Sequence, residues 1–200
     1  MRGGPTPRVI ALVGPESTGK TTLAARLTAA FDAEWSAESA RVYEEARRAA
    51  GTGHALGPRD VEPIARGQIA LEDAAAARAR AAGRPLVVRD TDLVSTVVYA
   101  RHYYGACPEW IVRAAAERRA DLYLALLPDD VPWVADAMRD PTAPRAALAA
   151  AFASTLVELE CVHVAVGGAW EAREQEAVRA VRALVGRPGR GSDAPPPLLS

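Results

Sequence analysis

The chain has 200 residues, 50% of them hydrophobic and 24% charged, with a formal net charge of −1. That balance excludes a disordered polyelectrolyte and a strongly basic nucleic-acid binder, and no apolar run approaches the length of a membrane span. Two cysteines, Cys107 and Cys161, stand in no metal-ligand spacing, and the N-terminus lacks a signal-peptide stretch, so a cytoplasmic protein with free thiols is expected.

Val9-Ile10-Ala11-Leu12-Val13 is a short apolar run that predicts a buried parallel strand. It leads into Gly14-Pro15-Glu16-Ser17-Thr18-Gly19-Lys20-Thr21, which fits the phosphate-binding pattern G-x-x-x-x-G-K-[ST]. Leu23, Leu27 and Phe31 then share one helical face, so the motif has the strand–loop–helix context of a P-loop. A short second strand is expected near 33–36 and a helix over about 39–50. After a Gly-rich loop, Asp60 is expected as an N-cap, with Pro63 in the first turn of a helix that runs to about Ala82. Pro85-Leu86-Val87-Val88 predicts a strand leading to Asp90, and Thr91 or Asp92 starts a helix carrying Leu93, Val97 and Tyr104 on one side. A helix over about 108–119, a strand over 122–127, an irregular segment over 128–145, a helix marked by Leu148, Phe152, Leu156 and Leu159, a strand over 162–166 and a last helix to about Val185 follow. Strands alternate with helices throughout, which predicts an α/β domain over 8–186 with a parallel sheet between two helical layers. Residues 1–7 read as an extension and 187–200 as a Pro/Gly/Ser-rich disordered tail.

Of the 24 basic side chains, only Lys20 is a lysine. An ammonium is a compact point charge and a guanidinium a wide planar fork, so a loop wrapped around phosphates has room for the first. The expected ATP site is Gly14, Glu16, Ser17, Thr18, Gly19, Lys20, Thr21 and Thr22, with Lys20 bridging the β- and γ-phosphates and the Thr21 hydroxyl ligating Mg²⁺. Asp90 ends an apolar strand, where it either completes the magnesium shell or caps the next helix. A guanine-reading N-K-x-D needs a second lysine, so a GTPase is excluded. ATP hydrolysis coupled to motion and phosphoryl transfer to a small acceptor remain, and a compact lid-like insert over about 129–145 favours transfer. Within it Arg139 or Arg145 is placed to stabilise charge on the transferring group. Glu38, just beyond the second strand, is the candidate base for the acceptor hydroxyl, with Arg41 one turn later. Asp92 either faces the acceptor or caps a helix. Gln68 interrupts the apolar stripe of Val61, Ile64, Ala65, Leu71 and Ala75, so its amide needs partners, either substrate or backbone. Tyr103, Tyr104, Trp110 and Trp133 either stack on a flat ring or fill the core.

Several segments together resemble the ribosylnicotinamide kinase domain of NadR-type bifunctional proteins, within the P-loop kinases. They are the P-loop through Leu23, Glu38-Ser39-Ala40-Arg41, Ile64-Ala65-Arg66-Gly67-Gln68, Asp90-Thr91-Asp92, Asp121-Leu122-Tyr123-Leu124 and Pro132-Trp133-Val134-Ala135-Asp136-Ala137-Met138-Arg139. The resemblance covers about 8–183 and implies a five-stranded parallel sheet in the order 2-3-1-4-5 with a small lid. It also implies ATP and Mg²⁺ as cofactors and phosphoryl transfer to the 5′-hydroxyl of nicotinamide riboside, with another nucleoside or small metabolite, or a regulatory ATPase without acceptor, as alternatives. The family pattern carries a catalytic role to Lys20, Glu38, Asp90 and Arg139, a further ATP contact to Arg139, and acceptor contacts to Glu38, Arg41, Gln68, Asp92, Trp133 and Asp136. The bifunctional proteins place an adenylyltransferase domain before the kinase. Here Gly51-Thr52-Gly53-His54 departs from the signature of that domain, so neither NAD synthesis nor DNA binding is expected. Ala137 stands where the lid pattern has glycine, which stiffens that position.

If the compactness of the ammonium is what the loop requires, Lys20→Arg costs at least about tenfold in nucleotide-dependent turnover although it preserves the charge. A turnover assay at saturating nucleotide checks this.

Overall fold

A computed structural model gives the fold and describes residues 6–53, 55–128 and 145–186. Among the described residues thirteen elements follow one another, with every strand separated from the next by one or more helices. They are β1 (Arg8–Val13), α1 (Lys20–Ala30), β2 (Glu34–Ser36), α2 (Ser39–Ala49), a 3₁₀ turn (Pro58–Asp60), α3 (Val61–Ala82), β3 (Leu86–Asp90), α4 (Leu93–Tyr104), α5 (Glu109–Glu117), β4 (Leu122–Leu126), α6 (Arg145–Glu158), β5 (His163–Val166) and α7 (Trp170–Val185). The strands pair in the order β2-β3-β1-β4-β5, and every pairing is parallel. This is the expected 2-3-1-4-5 order.

The alternation of side chains along β1 divides the core into two layers. Ala11 and Val13 pack with α4, α5 and α6 through Val94, Val97, Ile111, Phe152 and Leu156. Ile10 and Leu12 pack on the opposite face with Leu23 and Leu27 of α1 and Ala177 and Val181 of α7. Asp121 registers β4 against β1. Its carboxylate accepts from the Val9 amide at 2.8 Å and pairs with Arg8 at 2.9 Å, while its own amide donates to the Val9 carbonyl at 2.8 Å.

One local expectation is corrected. Asp60 does not cap α3 with its side chain. Its carboxylate turns back to accept from the Gly57 amide at 2.8 Å, the Tyr43 hydroxyl at 2.9 Å and Arg47 at 3.1 Å. A 3₁₀ turn intervenes before α3, so the orphan amide within reach belongs to that turn rather than to the helix. Asp60 thereby fastens the 55–57 loop to α2.

The chain leaves β1 through Gly14, whose φ is +138°, and a Cβ there would lie 2.4 Å from the Leu126 carbonyl oxygen. Gly14→Ala is therefore expected to destabilise the fold by about 2 kcal/mol or more, read as a lower denaturant midpoint at unchanged m-value.

Candidate active site

Three strands end side by side at the C-terminal edge of the sheet. Leu12 pairs with Asp90, and Ser36 pairs with Arg89. The P-loop after β1, the junction from β2 into α2 and the end of β3 therefore share one place, as expected for ligand sites in open parallel sheets. A cavity of about 630 Å³ opens there, bounded by Glu16–Thr22, the first turns of α2, the 55–57 loop and one side of α4.

Lys20 folds back over the loop, and its Nζ donates to the carbonyl oxygens of Gly14 and Pro15 at 2.8 Å each. The Thr18 hydroxyl donates to the same Pro15 carbonyl at 2.9 Å, and Tyr99 of α4 donates to the Gly14 carbonyl at 3.4 Å. These bonds hold the loop open around the N-terminus of α1, where backbone N–H groups and the helix dipole favour an anion. From the other side, Arg145 at the start of α6 donates to the Ser17 carbonyl at 3.4 Å.

Asp90 is 3% exposed, and its Oδ1 is buried without a hydrogen-bond partner. Burial raises the pKa of its carboxyl above the usual carboxylate range, against a hydrogen bond from Thr21 and the charges of Lys20 and Arg41. An orphaned carboxylate oxygen beside a P-loop hydroxyl is the donor set that suits Mg²⁺, which takes few protein ligands and fills its shell with water and phosphate oxygens. Among the described residues no cluster of three or more His, Cys, Asp or Glu could hold a metal.

Glu38 ends the extended segment before α2, with φ −73° and ψ 118°. It lines the cavity, with its Oε2 4.0 Å from the Arg41 Nε. Burial raises its pKa. Lys20 and Arg41 pull it down, while Asp90 and Glu16 push it further up.

Two expected acceptor contacts prove to be spent on the protein itself. Asp92 is 3% exposed. One of its oxygens accepts from the Val94 amide at 2.9 Å, capping α4, and the other accepts from the Tyr123 hydroxyl at 2.7 Å. Of its two expected roles, the geometry displays the cap. Gln68 is also buried, and its amide bonds to Ser39, Glu72 and the Thr91 carbonyl. Beneath it, burial pushes the Glu72 carboxyl up to about 7 despite contacts with Arg89 at 3.2 Å and Arg118 at 3.3 Å.

Glu16, Ser17, Thr18, Gly19, Lys20, Thr21, Thr22, Glu38, Arg41, Gln68 and Asp92 all bound this cavity, whereas Asp90 is buried and not part of its lining. Trp133, Asp136 and Arg139, and the insert that carries them, lie outside the described residues. Of the ring candidates, Tyr103 and Tyr104 reach the cavity, whereas Trp110 packs under Arg66, 4.7 Å from its ring centre. Sequence reasoning missed Tyr99 and Glu44. Tyr99 also lines the cavity and stacks on Tyr103, with ring centres 6.2 Å apart and planes 9° from parallel. The signal was present: Asp92, Thr96, Tyr99 and Tyr103 follow helical spacing along one side of α4. Glu44 lines the same cavity with one carboxylate oxygen buried and unpartnered.

Residues 9–173 match the sequence family described as AAA domain. The chain belongs to that family. Two solved structures of NadR, one in complex with NR and one with NAD and AMP-PNP, are each 24% identical to it with a TM-score of 0.67 and cover 92% of it. The chain spans about half of those NadR chains, 52% and 51%. A thymidylate kinase from Ehrlichia chaffeensis is 12% identical with a TM-score of 0.61, over 88% of this chain and 100% of that one. At such identities the likeness establishes the fold, the α/β architecture of P-loop kinases. No curated protein matches the chain.

Asp92→Ala removes both the cap and the partner of a buried phenol. It is expected to cost about 2–3 kcal/mol of stability, seen as a lower Tm.

Proposed function

We propose that the protein transfers the γ-phosphoryl group of ATP to the 5′-hydroxyl of a nucleoside, with nicotinamide riboside as the acceptor that the motifs favour. The observation that carries this reading is Glu38: a partly buried carboxylate that lines the same cavity as the P-loop and lies within reach of the charges of Lys20 and Asp90. A second carboxylate can serve water in hydrolysis as well as an acceptor hydroxyl, and it is the cavity of about 630 Å³ beside the phosphate loop that favours an acceptor larger than water. The wall of α4 supplies Tyr99 and Tyr103 for a flat base, and the unpartnered carboxylate oxygen of Glu44 suits a cationic ring. The NadR structures that share this fold were solved with NR and with AMP-PNP.

In this mechanism the loop amides and Lys20 hold the phosphates in line with the acceptor, and Arg145 steadies the loop through Ser17. Glu38 takes the proton from the attacking hydroxyl, and Lys20 and Arg41 partly offset the burial that favours its protonated form. Thr21 and Asp90 would hold Mg²⁺, which when bound neutralises charge developing between the β- and γ-phosphates. We assign Arg139 to the same charge and Trp133 and Asp136 to acceptor closure by a lid, on the motif they share with the family. We place the protein in a reducing cytoplasm, where its free thiols Cys107 and Cys161 would persist. Among the described residues no helix is long and apolar enough to cross a membrane.

Purified protein with ATP, Mg²⁺ and nicotinamide riboside should form ADP and the mononucleotide in equal amounts. Turnover on a different nucleoside alone would reassign the acceptor, and acceptor-independent hydrolysis alone would sink the transfer reading. Because burial raises the Glu38 pKa, kcat should fall as pH drops through a value above the ordinary glutamate range, where the base becomes protonated. Glu38→Gln should lower kcat about 100-fold or more and abolish that limb while ATP still binds.

A further inference from the structure

The first turn of α2 carries the candidate base, yet within α2 only Ser39 is buried. A helix start so weakly packed needs an external anchor, and its first amide is one of the orphan donors of a helix N-terminus. Glu38, at the cap position, makes no side-chain capping bond. The amide of Ser39 donates instead to Gln68 Oε1 at 3.0 Å, and the Ser39 hydroxyl donates to the Ile64 carbonyl at 2.9 Å. Gly67 brings the two helices into contact: a Cβ there would stand 2.5 Å from the Ser39 hydroxyl oxygen. Gln68 itself cannot rotate. Its Nε2 donates to Glu72 Oε1 at 3.3 Å and to the Thr91 carbonyl at 3.5 Å, both acceptors, which forces its oxygen toward Ser39. Glu72 is in turn held by Arg89 from β3 and by Arg118 beyond the end of α5.

We infer that Gln68 is the positioning residue for Glu38: its side-chain amide joins the α2 N-terminus to α3 and β3 and so sets where the carboxylate stands in the cavity. It acts through the backbone: both N–H groups and one of the two lone pairs of its oxygen are already bonded to the protein, although the side chain also borders the cavity. The effect on turnover rests on the transfer reading above, whereas the strut itself does not.

The test uses Gln68→Leu, which keeps the bulk and removes the amide. The Ser39 amide should lose hydrogen-exchange protection about tenfold or more, while the affinity for a non-hydrolysable ATP analogue stays within about twofold. In an enzyme that turns over, kcat should fall about 10- to 100-fold with the acceptor KM nearly unchanged, since a misplaced base loses rate and not binding. Gly67→Ala drives a methyl into the Ser39 hydroxyl and should reproduce the kcat loss from the other side of the junction. Adding Ser39→Ala removes that clash and should restore part of the rate. This second pair answers the question even if Gln68→Leu does not fold. Unchanged exchange at Ser39 overturns the strut, and a raised acceptor KM at constant kcat makes Gln68 a substrate ligand instead. If no acceptor is turned over by the unaltered protein, the transfer reading fails and the exchange measurement still decides the role of Gln68.

Discussion

Everything at the site depends on the parallel pairing of β2, β3 and β1. Parallel strands are joined by crossover helices, so all of them leave the sheet at the same edge. The pairing of Leu12 with Asp90 puts the magnesium-type carboxylate level with the residues that enter the P-loop. The pairing of Ser36 with Arg89 brings the chain out two residues short of Glu38. A slip of one residue in either ladder would turn Asp90 or Arg89 to the opposite face of the sheet. Placement of the P-loop, Asp90 and the start of α2 thus follows from backbone hydrogen bonds within the sheet.

The layer just under the cavity is polar, which is unusual for the middle of an α/β core. Gln68, Glu72, Arg89, Asp92 and Tyr123 are buried there together. Burial of such groups is tolerated only when each finds a partner, and breaking one link in a buried charged pair typically costs about 3–5 kcal/mol. Here Arg89 also donates to the Arg118 carbonyl at 2.9 Å, and Tyr123 hydrogen-bonds both Asp92 and the Ala120 amide. The layer therefore links α3, β3, α4 and β4 by directional bonds.

Arginine and lysine are divided by geometry. Arg89, Arg118 and Arg47 each meet more than one partner, a use that suits a planar fork with five N–H donors. Lys20 meets two carbonyls at one point inside a narrow loop. There a compact ammonium fits and can pivot from the loop carbonyls to phosphate oxygens.

The sequence alone determined the P-loop, the alternation of strands and helices, the parallel sheet and the candidacy of Glu38 and Asp90. These are local signals: an apolar run of one period, a helix of another, and a motif whose residues are adjacent in the chain. It left Asp92 and Gln68 open between substrate and scaffold, placed Asp60 at the start of α3 without its bonds to Gly57, Tyr43 and Arg47, and passed over Tyr99 and Glu44. Each of these depends on partners distant in sequence. Tyr123 lies 31 residues from Asp92, and Ser39 lies 29 residues from Gln68. Periodicity tells which face of a helix is buried, but not which orphan donor will stand opposite. Only the tertiary structure decided that Asp92 is a cap and that Gln68 bonds to the start of α2, because a buried polar group takes its role from the partner that packing delivers.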